Sequence, residues 1–396
     1  MYKFKTLDDF NFQNKAVLLR ADFNLPVDDQ GRILNDRRIR AVVPTINYLL
    51  ENNVKLILAT HFGRPKGEIV ENLRVDKISQ RVAKLINKPV QKIDSTSGSE
   101  VEEAIQKMNN SDILMLENIQ FDPGEIENSD DYAQKLASYA DIFVLEAFGQ
   151  SHRDYASLSG IQKFIPSCAG YLIQKEIEKL DSLLEKTQHP FYAIIGGAKA
   201  DKIGVIKSLM NKVDKFIIGG ALANTFLKAQ GLNIGNSKFD LEILEFAQEL
   251  IKTNPEKIVL PSDVVVAKEF NNQSNFRNIA IKDIESREMI LDIGKGTTKR
   301  YQEILKNAQM IVWAGTMGVF EFSNFQRGTE KIAEFISKLE AVTVIGGGDT
   351  SSVIEDLKLV EKMNHVSTGG GAALGFLAGN ELPALKALEE NALHYK

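Results

Sequence analysis

Cysteine is nearly absent: Cys168 is the only one in 396 residues. A single thiol cannot close an internal disulfide, so a cross-linked secretory scaffold is excluded and a reducing cytoplasm is the expected setting. Long apolar runs are missing too, none reaching the roughly 18 residues of a membrane span. The opening MYKFKTLDDF lacks the charged-then-apolar pattern of a leader, so no membrane partner is expected. Positive charge is not in excess: 48 Lys and Arg against 53 Asp and Glu leave a net charge of -5. That balance argues against general nucleic-acid binding, which needs a basic surface. Two nucleotide signatures are also lacking. GxxxxGK[ST] occurs nowhere, which excludes a P-loop enzyme. No glycine turn fits G-x-G-x-x-G, which counts against an NAD-dependent oxidoreductase. Low-complexity segments and short fixed-period repeats are absent.

What is present is a globular composition, 43% hydrophobic and 26% charged, in a chain too long for one core. Apolar runs rich in Val, Ile and Leu alternate with amphipathic stretches. KAVLLRADFN, VKLILATHFG, DILMLENIQF and DIFVLEAFG form one series; FYAIIGGAK, KFIIGGALANTF, EKIVLPSDVVVA, AQMIVWAG, AVTVIGGGDT and NHVSTGGG form another. Near-continuous apolar strands separated by helices predict parallel sheets. The expected fold class is α/β, with two doubly wound parallel-sheet domains. Their boundary falls between residues 165 and 190, where Pro166 and Gly170 precede a long charged amphipathic helix that ends before Pro190. No Ser/Gly linker separates the halves, which points to a helix as the joint.

Ligands of open parallel sheets bind outside the carboxyl ends of the strands. In the first half those positions hold Arg20, Asp22 and Asn24, then His61 and Arg64, then Glu117 and Asn118, then His152 and Arg153. Any one arginine alone reads best as a solvated surface charge. Five cationic or potentially cationic groups at one sheet edge suit a small anion carrying phosphate or carboxylate. Arg38 opens the next helix, where the helix dipole opposes a cation. It is either aimed at a ligand or simply exposed.

The second half ends its strands in glycine instead: Gly196-Gly197, Gly219-Gly220, Gly346-Gly347-Gly348 and Gly369-Gly370-Gly371. Free amides at strand-to-helix turns bind anions, and glycine lets a phosphate approach the backbone. One such turn is often only tight packing; a set of them makes a nucleotide the leading ligand. Asp349 follows the triple glycine and is placed either to hold Mg2+ beside phosphates or to cap a helix. One half for a small anion and one for a nucleotide implies transfer between them.

In order along essentially the whole chain, VLLRADFNLP, THFGRPKG, LENIQF, AFGQSHR, IIGGAKADKIGVI, WAGTMGVFEF, VIGGGDT and STGGGAALGFLAG resemble the phosphoglycerate kinase family. The resemblance implies two Rossmann-like domains joined by a helix and hinge. It places a phosphoglycerate-binding domain at 1–168, a nucleotide-binding domain at 169–378 and a tail at 379–396 that packs back on the first domain. It implies a monomer and reversible phosphoryl transfer from 1,3-bisphosphoglycerate to MgADP, giving 3-phosphoglycerate and MgATP. Carried over by position, it implies that Asp22, Phe23, Asn24, Arg38, His61, Phe62, Gly63, Arg64, Gln120 and Arg153 bind the phosphoglycerate. It assigns Gly197, Lys202, Gly219, Gly220, Gly294, Glu321, Gly347, Gly348, Asp349 and Thr350 to the nucleotide, Glu321 at the ribose and Asp349 at the metal. Catalysis falls to Arg38, Lys199 and the amides at Gly347 and Gly370.

The sequence departs from that pattern. Gln120 replaces an arginine that binds the substrate phosphate, and Ala314-Gly315-Thr316 replaces Asn-Gly-Pro. LDIGK replaces D-I-G-P, Gln150-Ser151 replaces a small pair, Glu146 replaces an aspartate and Gly375 a glutamate. Lys199 and Lys202 stand three residues apart where the family has four. Beside the active kinase, these departures admit a paralogue with weakened activity or another acyl phosphate, or a nucleotide-binding protein that does not catalyse.

Overall fold

The computed structural model describes residues 2–28, 30–197 and 202–395. The chain divides into two compact units, Met1–Glu178 with Glu381–Lys396, and Lys179–Asn380. The division falls inside the helix Tyr171–Glu185, so one continuous element belongs to both units.

The first unit is built on a parallel sheet of β1 (Ala16–Ala21), β2 (Lys55–Ala59), β3 (Gln91–Lys92), β4 (Ile113–Met115), β5 (Ile142–Glu146) and β6 (Ser167–Ala169), in the order β3-β4-β2-β1-β5-β6. Helices cover such sheets, and β1 and β5 are accordingly apolar almost throughout. Val17 and Leu19 pack in one core with Ile39, Val42, Ile46 and Leu49 of the helix Arg37–Glu51, a spacing that lines one helix face. The chain runs outward from β1 through β2 in one direction and returns at β5 on the other side. The switch point therefore lies between β1 and β5, directly before Asp22.

The helix Pro383–His394 belongs to this unit. Asn391 fastens it: its Oδ1 accepts from Ser167 N at 2.9 Å, and its Nδ2 donates to the carbonyls of Gln162 (2.6 Å) and Ile165 (2.8 Å).

The second unit repeats the plan. Its parallel sheet comprises β7 (Phe191–Ile195), β8 (Lys215–Ile218), β9 (Ile258–Val259), β13 (Met310–Ala314), β14 (Val342–Gly346) and β15 (His365–Val366), ordered β15-β14-β13-β7-β8-β9. Here the switch point lies between β7 and β13. A separate antiparallel sheet of β10 (Asp263–Ala267), β11 (Phe276–Ala280) and β12 (Met289–Ile293) is inserted, ordered β11-β10-β12. EKIVLPSDVVVA reads as one strand in sequence. The structure divides it, because Pro261 and Ser262 stand between β9 and β10, and the two pieces join different sheets.

Candidate functional site

In the first unit the residues after β1 and β2 form one hydrogen-bonded lattice. Arg38, at the start of its helix, donates through Nη1 to Asp22 Oδ2 and to the Asn24 carbonyl, each at 3.0 Å. Asn24 Oδ1 accepts from Gly63 N at 3.0 Å, which ties the first loop to the His61–Arg64 loop. Behind that loop the buried Asn118 donates from Nδ2 to the Phe62 carbonyl (2.7 Å) and the Leu73 carbonyl (2.9 Å), and its Oδ1 accepts from Phe62 N (3.2 Å). Arg38 is thus held against the local helix dipole by a carboxylate.

Burial pushes the Asp22 carboxyl up, but Arg38, His61 and Arg20 together outweigh it and hold the group below the usual aspartate range. His61 is only 2% exposed. Burial, reinforced by Arg20, Arg38 and Arg64, pushes it down to about 3 against the pull of Asp22. Its Nδ1 lies 3.9 Å from Asp22 Oδ1 and has no hydrogen-bond partner. His152 is lowered as well, by burial and then by Arg153. Both histidines are therefore neutral near pH 7, and the positive charge of this edge comes from arginine. Arg64 and Arg153 are exposed and form no ion pair among the described residues.

Two strand-end residues of the sequence reading have other work. Arg20 is fully buried and donates from Nε to Ser157 Oγ at 2.8 Å and from Nη1 to the Ala21 carbonyl. Glu117 is also buried and accepts from Arg74 Nη1 (2.8 Å), Lys92 Nζ (2.7 Å) and Val75 N (3.0 Å). Gln120 and Phe23 are buried, while Phe62 and Gly63 belong to the braced loop.

In the second unit the glycine turns gather at one sheet edge. Gly196 N donates to the Ala314 carbonyl (2.8 Å) and Gly197 N to the Thr316 carbonyl (2.9 Å), across the switch point. Beside them lies a cavity of about 270 Å³. Of the residues assigned to the nucleotide, Gly197, Gly220, Glu321 and Asp349 line it. Gly347, at φ 89°, caps the helix Gly348–Asp356, a backbone conformation that favours glycine. Asp349 stands exposed in the first turn of that helix. Gly370 caps the helix Gly371–Leu377, and Gly219 caps Gly220–Ala229.

Other assigned residues sit behind the cavity wall. Thr350 is buried, and its Oγ1 accepts from Gly315 N at 2.7 Å, which joins the turns after β13 and β14. At Gly294 a Cβ would stand 2.2 Å from Asp263 Oδ2, so close packing rather than a ligand explains the glycine. Lys202 opens the helix Lys202–Leu209 and is buried. Lys199 lies outside the described residues.

The cavity also contains residues to which the sequence reading gave no role, Asn224, Phe270 and Asp292, together with Thr316, which it marked only as a departure. Asp292 is buried, accepts from Ile293 N (2.8 Å) and Gly328 N (2.7 Å), and is pushed up to about 8 by burial. In its LDIGK context the resemblance assigned only Gly294 to the nucleotide. Phe270 had no sequence signal, because the hairpin between β10 and β11 brings it to the cavity.

Among the described residues no group of three or more His, Cys, Asp or Glu is placed to hold a metal ion. One exposed carboxylate, Asp349, beside a cavity and glycine turns fits an ion that takes most of its ligands from phosphate and water, as Mg2+ does.

A family model described as phosphoglycerate kinase matches residues 7–380. A phosphoglycerate kinase of Moorella thermoacetica is 44% identical over 97% of this chain and 99% of its own length. One from Thermosynechococcus vestitus is 44% identical over 96% of this chain and 97% of its own. Among solved structures, phosphoglycerate kinase from Coxiella burnetii superposes with a TM-score of 0.85 at 36% identity, covering 98% of this chain and 100% of that one. The Pyrococcus horikoshii enzyme gives 0.89 at 32% identity, with both chains fully covered.

Proposed function

The chain belongs to the phosphoglycerate kinase family, and from that premise we propose how its residues divide the work of the reaction. It is a phosphotransferase that interconverts 1,3-bisphosphoglycerate and ADP with 3-phosphoglycerate and ATP.

The assignment rests on one contrast: the sheet edge of the first unit carries arginine, and that of the second carries glycine turns around a cavity. At the first edge, Arg64 and Arg153 bring mobile charge to the substrate phosphate. Asp22, Asn24, Phe23, Phe62 and Gly63 shape the glycerate pocket, and the neutral His61 offers a hydrogen bond rather than a charge. Gln120 contributes an amide where relatives of the pattern have a cation. Arg38 is aimed by Asp22 and Asn24 and neutralises charge on the group in transfer. At the second edge the glycine turns at Gly197, Gly219 and Gly220 let the nucleotide come close to the backbone, while their own amides are taken up by carbonyls. The amides of Gly347 and Gly348 receive its phosphates, with Lys199 and Lys202. Glu321 takes the ribose, and Gly370 adds an amide for the transition state. Asp349 would hold the Mg2+ that accompanies the nucleotide, an ion that would supply neutralisation of phosphate charge.

The carboxylate of 3-phosphoglycerate is itself the nucleophile, so no side chain has to move a proton. Positioning and charge neutralisation carry the rate. A monomer in the cytoplasm is the accompanying proposal. The single cysteine, which is buried and free, supports a reducing compartment.

Purified protein with MgADP and 1,3-bisphosphoglycerate should form ATP, followed by a coupled assay. Tight ADP binding with no ATP formed would overturn the residue assignment in favour of a non-catalytic relative.

A further inference from the structure

Two neighbouring loops supply parts of the cavity wall. Residues 268–275 join β10 to β11 and carry Phe270; residues 319–326 follow β13 and carry Val319, Phe320 and Glu321. Among the described residues no backbone-to-backbone hydrogen bond joins these loops. Among the described residues their polar link runs through Asn272 alone. Its Oδ1 accepts from Asn324 N at 3.1 Å, its carbonyl accepts from Asn324 Nδ2 at 2.7 Å, and its Nδ2 donates to Ser323 Oγ at 3.1 Å.

An aromatic contact runs beside the clasp. The Phe270 ring lies 5.0 Å from that of Phe322, which in turn leans on the buried Phe325 at 6.4 Å. Phe270 is nevertheless 62% exposed, so packing alone holds it weakly. An exposed aromatic on a hairpin tip loses a large share of its rotamer and loop freedom when it serves as a wall. A bond network that fixes the loop beforehand lowers that cost at the moment of binding.

We infer that Asn272 is a positioning residue for nucleotide binding: it touches no ligand, but clasps the loop of Phe270 to the loop of Glu321 so that both stand ready in the cavity wall. This rests on the reading of the cavity as the nucleotide site. The clasp is made of neutral amides and a hydroxyl, so it acts alike across the physiological pH range. It acts on the base and ribose end of the nucleotide, since Phe270 and Glu321 are the residues whose loops it holds, and leaves the phosphoglycerate unit untouched.

The test is steady-state kinetics on the full chain, with ADP binding measured by calorimetry. Asn272→Ala should raise KM and Kd for ADP about fivefold, the scale of one or two lost hydrogen bonds. The kcat at saturating ADP, the KM for 1,3-bisphosphoglycerate and the melting temperature should stay as in the parent. Asn272→Asp keeps the acceptor for Asn324 N and the carbonyl for Asn324 Nδ2, and should restore most of the affinity. In a Phe270→Ala background, Asn272→Ala should add less than it does alone, because the residue it positions is gone. If both substrates weaken together, or affinity falls only in step with melting temperature, the positioning role is overturned. If Phe270→Ala weakens ADP binding while Asn272→Ala does not, the clasp fails and the nucleotide site stands. If neither substitution alters ADP binding, the cavity is not the nucleotide site and both readings fall.

Discussion

Arg38 Nη1 and Asp22 Oδ2 meet at 3.0 Å, with the arginine side chain still about a third exposed. The pair directs a cation across the N-terminus of its own helix, where the dipole disfavours it. Arg38→Ala should therefore cost turnover by a factor that its effect on folding does not explain. Loss of one preorganised charge at a transferring group costs about a hundredfold or more in kcat. Asp22 is buried, so losing its arginine costs folding about 1–3 kcal/mol, which leaves the variant folded at assay temperature. Steady-state kinetics and a thermal melt on the same preparation check the two halves of this prediction. An active Arg38→Ala variant would remove Arg38 from the catalytic set.

Gln120 is buried in the short turn Ile119–Phe121, with its backbone N–H donating to Asn118 Oδ1 at 3.2 Å. Gln120→Arg should tighten 3-phosphoglycerate binding about tenfold by adding one charge-assisted hydrogen bond. Isothermal titration measures it. Equal or weaker binding would show that Arg64 and Arg153 already satisfy the phosphate.

Asn391 makes the bonds that fasten the last helix, and it is buried. Asn391→Ala leaves Ser167 N and two carbonyls unpaired. It should destabilise the first unit by about 2–4 kcal/mol, the scale expected for several buried polar groups left unsatisfied. Denaturant unfolding followed by a probe in that unit reads the change. Activity well below the melting temperature should be retained.

Asp292 and Glu146 are buried carboxyls raised to about 8 and about 7. A raised acid holds its proton in the native state while the unfolded chain has already released it. From the ordinary carboxylate range up to those values, unfolding therefore releases protons, and stability falls as pH rises. The contribution of these two carboxyls should decline between about pH 4 and pH 8, and the lowered His61 and His152 oppose it up to the ordinary histidine range, so the decline should show in measured unfolding free energy above about pH 6.5. Asp292→Asn should flatten the upper part of that decline, whatever its effect on absolute stability. An unchanged slope in the variant would show that Asp292 titrates normally.

Much of this was legible in sequence because parallel strands buried on both faces must be apolar throughout. β1, β5, β7 and β13 announce themselves, and the glycine turns after β7, β8 and β14 follow from where those strands stop. The inserted sheet was not legible, since β11 (FRNIA) is largely exposed and carries no apolar run. Arg20 misled for a related reason. It sits at a strand end like a ligand-binding arginine, yet its neighbours Ser157 and Glu125 come from distant sequence and bury it. The histidine charges were equally out of reach, because burial and not residue type decides them.

The first unit is discontinuous in the chain, completed by residues 381–396, whereas the second is one unbroken segment. Synthesis runs from the amino end, and domains generally fold as units as they emerge. The second unit is thus the first whose whole sequence becomes available. The first unit waits with Ser167 N and the carbonyls of Gln162 and Ile165 unmet until Asn391 leaves the ribosome, although its own first residues were made earliest.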